Sequence, residues 1–206
     1  MTQTRRFGKG WVVAGVLSAL GLLSAGLGEA RAAFTVTLVS TAPSGPNTQF
    51  NFSAAIAPED TLTAGDFFRI YDFAGYVAGS ITAPAGWTGS VANSSPTPPP
   101  NVILSHGDDP ATPNLIFTYT GATPINGPAF LTGFAATSTF GFLGAIKDFV
   151  GLNTQATGPT AGADVSSIGD VRVPGVPEPA SLVSIGLGAL AMGAVYGLRR
   201  RGAVRV

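Results

Sequence analysis

A chain of 206 residues without a single cysteine can hold no disulfide, no thiolate metal centre and no cysteine nucleophile. Only 11% of its residues are charged, well below the roughly 25% of an ordinary soluble domain, and the formal net charge of zero hides a segregation. Between residues 33 and 179 three basic residues (Arg69, Lys147, Arg172) face ten acidic ones, a net of −7, whereas eight of the eleven basic residues lie at the two ends. Such an acidic middle excludes nucleic acid and anionic polymers as partners, because both would be repelled. Neutral polysaccharide, divalent cations and cationic surfaces stay open. Gly and Pro are abundant (28 and 16), but 13 Phe provide material for a core, so a loop-rich folded domain with apolar appendages is expected.

Residues 1–32 have the layout of a secretory signal: Arg5, Arg6 and Lys9, then an uncharged run from 10 to 28, then Ala30-Arg31-Ala32. The small residues place signal-peptidase cleavage before Ala33; an uncleaved signal anchor is the alternative. Arg5-Arg6 invites a twin-arginine reading. Gly8, however, stands where that signal wants a large apolar side chain, which favours the general secretory machinery.

Residues 33–173 are dominated by alternation of period two. FTVTLVS (34–40) puts Phe34, Val36 and Leu38 on one face, and FNFSAAI (50–56) does the same with Phe50, Phe52 and Ile56. DFFRIYDF (66–73) and NLIFTYTG (114–121) alternate likewise, with shorter candidates at 77–81, 102–105, 130–134, 138–143 and 168–173. Gly/Pro turn signals such as APSGPN, APAGW and HGDDPATPN separate them. FLGAIKDFVGL (142–152) is expected to make one helical turn, and 157–167 a flexible approach to the last strand. Seven to nine short strands of this kind predict an all-β, antiparallel β-sandwich ectodomain.

Chemistry is sparse in this middle. His106 is the only histidine, and neither a G-x-S-x-G elbow nor an H-E-x-x-H helix accompanies it, so no catalytic residue and no cofactor is expected. Asp108, Asp109 and Asn114 share one loop and could offer oxygen ligands to calcium, but without the spacing of a calcium loop. Adjacent aspartates also cap turns. Trp87, in PAGWTG, could stack on a sugar ring, with core packing as the competing role.

The C-terminal part, 174–206, has three pieces in order. Pro177-Glu178-Pro179-Ala180-Ser181 comes first: a proline on each side of Glu178 fixes an extended backbone and removes two donors. The uncharged stretch 181–198 follows; as a helix it would span about 27 Å, close to the hydrocarbon core of a bilayer. Arg199-Arg200-Arg201 then begin a basic end (199–206) that stays cytoplasmic by the positive-inside rule and leaves everything upstream outside. The predicted organisation is a signal helix, the ectodomain and a transmembrane helix.

These three pieces together resemble the PEP-CTERM sorting tail, also catalogued as "ice-binding protein C-terminal domain", a label that implies no ice binding here. The resemblance implies reading of the Pro-Glu-Pro segment by an exosortase, a membrane-embedded enzyme. It further implies loss of the helix, and release or surface attachment of the rest, often beside exopolysaccharide. AGDFFRIYDFAGY and PAGW also resemble a stretch of other secreted PEP-CTERM proteins and imply no activity. The expected function is therefore a structural surface or matrix protein, with a carbohydrate-binding module as the alternative.

Overall fold

The computed structural model describes residues 34–93, 99, 102–141 and 143–176. The expected signal and its cleavage site (Ala30, Ala32, Ala33), the Pro177–Ser181 segment, the stretch 181–198 and Arg199–Arg201 lie outside the described residues. Among the described residues the protein is all-β and antiparallel, and no helix is long and apolar enough to cross a membrane.

Ten strands follow in chain order: β1 (Phe34–Ser44), β2 (Asn47–Ile56), β3 (Asp60–Leu62), β4 (Phe67–Ile70), β5 (Trp87–Ala92), β6 (Asn114–Tyr119), β7 (Ile125–Asn126), β8 (Ala129–Ser138), β9 (Leu143–Gln155) and β10 (Asp164–Pro174). One sheet has the order β1-β2-β8. β1 and β2 form a hairpin closed at Gly45, whose φ of +61° is the left-handed conformation that glycine adopts without cost. Phe34 lies opposite Ile56, and a register shift between Leu38 and Ser40 turns Val39 out to solvent. The second sheet has the order β5-β6-β4-β9-β3-β7, with β10 also paired to β9. β10 follows β9 along nearly its whole length, from Asp164 opposite Thr154 to Pro174 opposite Leu143. The opposite edge of β9 is shared in succession by β4 (against 149–152) and β3 (against 154–155).

The inward faces of the two sheets build one aromatic core. Phe134 of β8 meets Phe68, Trp87 and Phe117 of the second sheet at ring-centroid distances of 4.8, 5.0 and 5.2 Å. Phe50 and Phe52 of β2 meet Phe73, just beyond β4, at 5.5 and 6.4 Å. The edge-to-face arrangement of most of these pairs matches the quadrupoles of the rings. Each such Phe side chain stabilises by roughly 1.5–3 kcal/mol through burial. Sheets that carry rings this large need a small residue where they approach. A Cβ on Gly151 would lie 2.7 Å from Cβ of Phe34 and 3.0 Å from Ser167 Oγ.

Several sequence expectations change. The helical turn expected within 142–152 is not found over its described part: 143–155 are β9, the longest strand among the described residues. Phe149, Val150 and Gly151 are all buried because both faces of β9 are covered there, so the clean alternation that identifies a strand is lost. Among the described residues ten strands stand where seven to nine are expected, and five of them have ten or more residues. The stretch 77–81 forms no strand: bridges at Tyr76 and Thr82, together with hydrogen bonds from Val77 and Ser80 to the Thr137 backbone, hold it against β8, and 102–105 is loop. β10 begins at Asp164, inside the segment expected to be flexible.

Candidate functional site

The polar centre of the molecule lies where β4, β9 and β10 meet the loop 102–113. It begins at Asp72, which follows β4 with a φ of +52°, a left-handed conformation that aspartate tolerates better than most residues. Asp72 is 4% exposed. Its N–H donates to Asn114 Oδ1 at 2.7 Å, and its carboxylate accepts the N–H of Asp109 at 2.9 Å and Lys147 Nζ at 2.7 Å. The buried charge is thus matched by a cation and a backbone donor, as burial of a carboxylate demands.

Asp108, Asp109 and Asn114 do come together here, each engaged with the protein itself. Asn114 is fully buried and donates through Nδ2 to Asp108 Oδ1 at 2.9 Å. Asp109 caps a turn: its two oxygens accept the N–H of Ala111 at 2.9 Å and the hydroxyl of Thr112 at 3.0 Å. These donors, the Ala111 N–H foremost, hold the Asp109 carboxyl below its ordinary value. For a cation, the three residues would have to surrender bonds that shape the loop.

A different set of metal-ligating atoms converges beside them. Asp148 of β9 and Asp170 of β10 are directly opposite each other in the ladder. The Asp148 side chain is 1% exposed, that of Asp170 65%. The loop brings His106 over both. Its backbone N–H donates to Asp148 Oδ2 at 2.7 Å, and its Nδ1 lies 3.2 Å from Asp148 Oδ1 and 3.8 Å from Asp170 Oδ1. One ligand atom from each of the three residues falls within 4.8 Å of the others. His106 was visible in the sequence as a lone loop histidine, but Asp148 and Asp170 were not singled out. Positions 106, 148 and 170 are joined only by strand pairing and loop placement, so no local spacing announces them.

Trp87, the candidate sugar contact with core packing as its competing role, lies in the aromatic core. Its ring is 7% exposed and packs at 5.8 Å from Phe68, 5.3 Å from Tyr119 and 5.0 Å from Phe134.

The class of protein defined so far is a folded, all-β acidic domain whose last strand, β10, ends at Pro174, immediately before the Pro-Glu-Pro segment. The family described as the PEP-CTERM protein-sorting motif matches residues 175–201. The chain carries a PEP-CTERM sorting motif over these residues, which supports an exosortase-sorted protein and implies export, processing by a membrane enzyme and sorting to the cell surface or the extracellular space. No curated protein matches the chain.

Proposed function

We propose that this protein acts, after sorting, as a non-enzymatic structural component of the cell surface or extracellular matrix, in contact with neutral exopolysaccharide. The observation that carries the reading is the continuity of the folded domain with its sorting motif. β10 ends at Pro174 and the matched family begins at residue 175, so the chain's evident cargo is the β-domain itself. The excess of acid over base between 33 and 179 suits a soluble surface coat and disfavours anionic polymers. Signal peptidase and the secretion machinery are the partners before sorting, with the 181–198 stretch as the transient anchor.

Intact mass of the native protein, measured in each cell fraction, tests this. The expected mature form lacks 1–32 and the stretch 181–206. A sole mature form retaining Ser181 to Val206 would overturn the sorted-and-released reading. Glu178→Gln is expected to leave an unprocessed, membrane-held precursor.

A carbohydrate-binding role has one observation in its favour, and it is not Trp87. Phe130 on β8 is 69% exposed and could stack on a sugar ring. Saturable retention on polysaccharide that is lost in Phe130→Ala would support it. Retention unchanged in that variant would leave the structural reading.

A further inference from the structure

We propose that His106, Asp148 and Asp170 form a binding site for a divalent transition-metal ion of the zinc class, which fastens the loop 102–113 to the β9–β10 hairpin. The starting point is an electrostatic conflict in the ladder. Asp148 and Asp170 are cross-strand partners, and like charges directly opposite each other destabilise a sheet. One of them, Asp148, is also fully buried, and a buried carboxylate requires a compensating cation. The neighbouring Lys147 does not serve, because its ammonium binds Asp72 at 2.7 Å. Among the described residues, the ion-pair contacts of Asp148 and Asp170 both run to the same atom, Nδ1 of His106. A divalent ion among the three would place two positive charges at that point.

The donor atoms suit such an ion. Tetrahedral zinc, with bonds of about 2.0–2.2 Å to nitrogen and carboxylate oxygen, separates its ligands by about 3.4 Å. The observed Nδ1-to-oxygen separations, 3.2 and 3.8 Å, bracket that value. One imidazole and two carboxylates favour zinc and its transition-metal neighbours over calcium or magnesium, which take oxygen ligands. The His106 and Asp170 side chains are 37% and 65% exposed. The ion therefore has an entry path and a fourth position open to water. The second Asp148 oxygen, held by the His106 N–H at 2.7 Å, fixes the carboxylate so that Oδ1 faces the ion. The ligands come from a loop and two paired strands, so bound metal cross-links segments 42 and 64 residues apart from His106.

Zinc chloride titrated into the chelator-treated, natively exported protein tests the site by calorimetry and thermal unfolding. One ion per chain with a Kd in the micromolar range or below is expected, together with a rise in Tm that equal calcium chloride does not produce. Asp170→Asn and His106→Gln, both at exposed positions, should each weaken zinc binding at least tenfold. The metal-free Asp170→Asn protein should melt no lower than the metal-free wild type, because the like-charge pair is relieved. Asp109→Asn should bind zinc as the wild type does. Absence of stoichiometric zinc binding would overturn the proposal. So would affinity undiminished in both ligand variants, or calcium binding as tightly as zinc.

Discussion

Replacing Trp87 by alanine tests whether this ring belongs to the fold or to a ligand. The side chain is 7% exposed and contacts three aromatic neighbours on both sheets. A buried Trp removes about 150–250 Å² from water, which at about 25 cal/mol per Å² corresponds to ~4–6 kcal/mol. Measured Trp or Phe to Ala losses run at about 3–5 kcal/mol. A value of ~4 kcal/mol is a large fraction of the ~5–15 kcal/mol that stabilises a whole domain. With ~2–4 °C per kcal/mol at this chain size, Tm should fall by about 8–16 °C. Thermal unfolding of the exported protein, followed by circular dichroism, measures it; Trp87→Phe, which keeps a ring against Phe68 and Phe134, should lose less than half as much. A fall of less than about 3 °C in the alanine variant would refute the packing argument. Polysaccharide retention of the variant has to be measured below its own Tm, where it should equal that of the wild type.

Three further outcomes follow from other buried groups. Lys147→Met should cost about 3 kcal/mol, the low end for a broken buried pair, since Lys147 is 27% exposed while Asp72 is 3% exposed; adding Asp72→Asn should recover most of it in denaturant unfolding, and no recovery would refute the pairing. Burial pushes the Asp66 carboxyl above its ordinary 3.8, against the pull of the Thr63 N–H and the Thr63 and Thr154 hydroxyls. The folded state therefore holds that proton more tightly than the unfolded state, and this stability, present below 3.8, is lost as pH rises through the folded value. The Tm difference between Asp66→Asn and wild type should be more positive at pH 7 than at pH 3, and a flat or reversed difference would refute it. Asn153 is 0% exposed and neither end of its amide has a partner among the described residues. Asn153→Leu should consequently raise stability by ~1–2 kcal/mol, because an unmet buried amide costs more than an apolar group of similar size. A lower Tm would reveal a polar partner.

The fold was legible wherever one face of a strand met the core and the other met solvent. β1 and β2 announce themselves through Phe34, Val36, Phe50 and Phe52. The signal fails in β9, where Phe149, Val150 and Gly151 are buried in succession and no alternation survives. It also fails in β3 and β7, whose three and two residues are too few for a period to show. β5 is hidden because Trp87 opens it directly after the turn sequence PAG, and Gly89 and Ser90 interrupt its apolar alternation. The polar centre was half legible. Asp108, Asp109 and Asn114 are neighbours in sequence and remain neighbours in space. Asp148 and Asp170 meet His106 only through the register of β9 with β10, which no local pattern encodes.

The end of β10 carries a steric consequence. Val173 is fully buried, Pro174 and Gly175 are buried, and Val176 is exposed, so the packed domain stops two residues before Pro177. Even a fully extended chain reaches only about 3.3–3.6 Å per residue. From Gly175 to Glu178 the reach is at most about 11 Å, shorter than the width of the sheet it leaves. An enzyme that grasps Glu178 must therefore accommodate the folded body at its rim, or engage the chain before β10 has closed on β9. A spacer of ten Gly/Ser residues inserted after Val176 distinguishes the two. Faster processing of the folded precursor would indicate crowding at the rim, and an unchanged rate would indicate cutting ahead of closure.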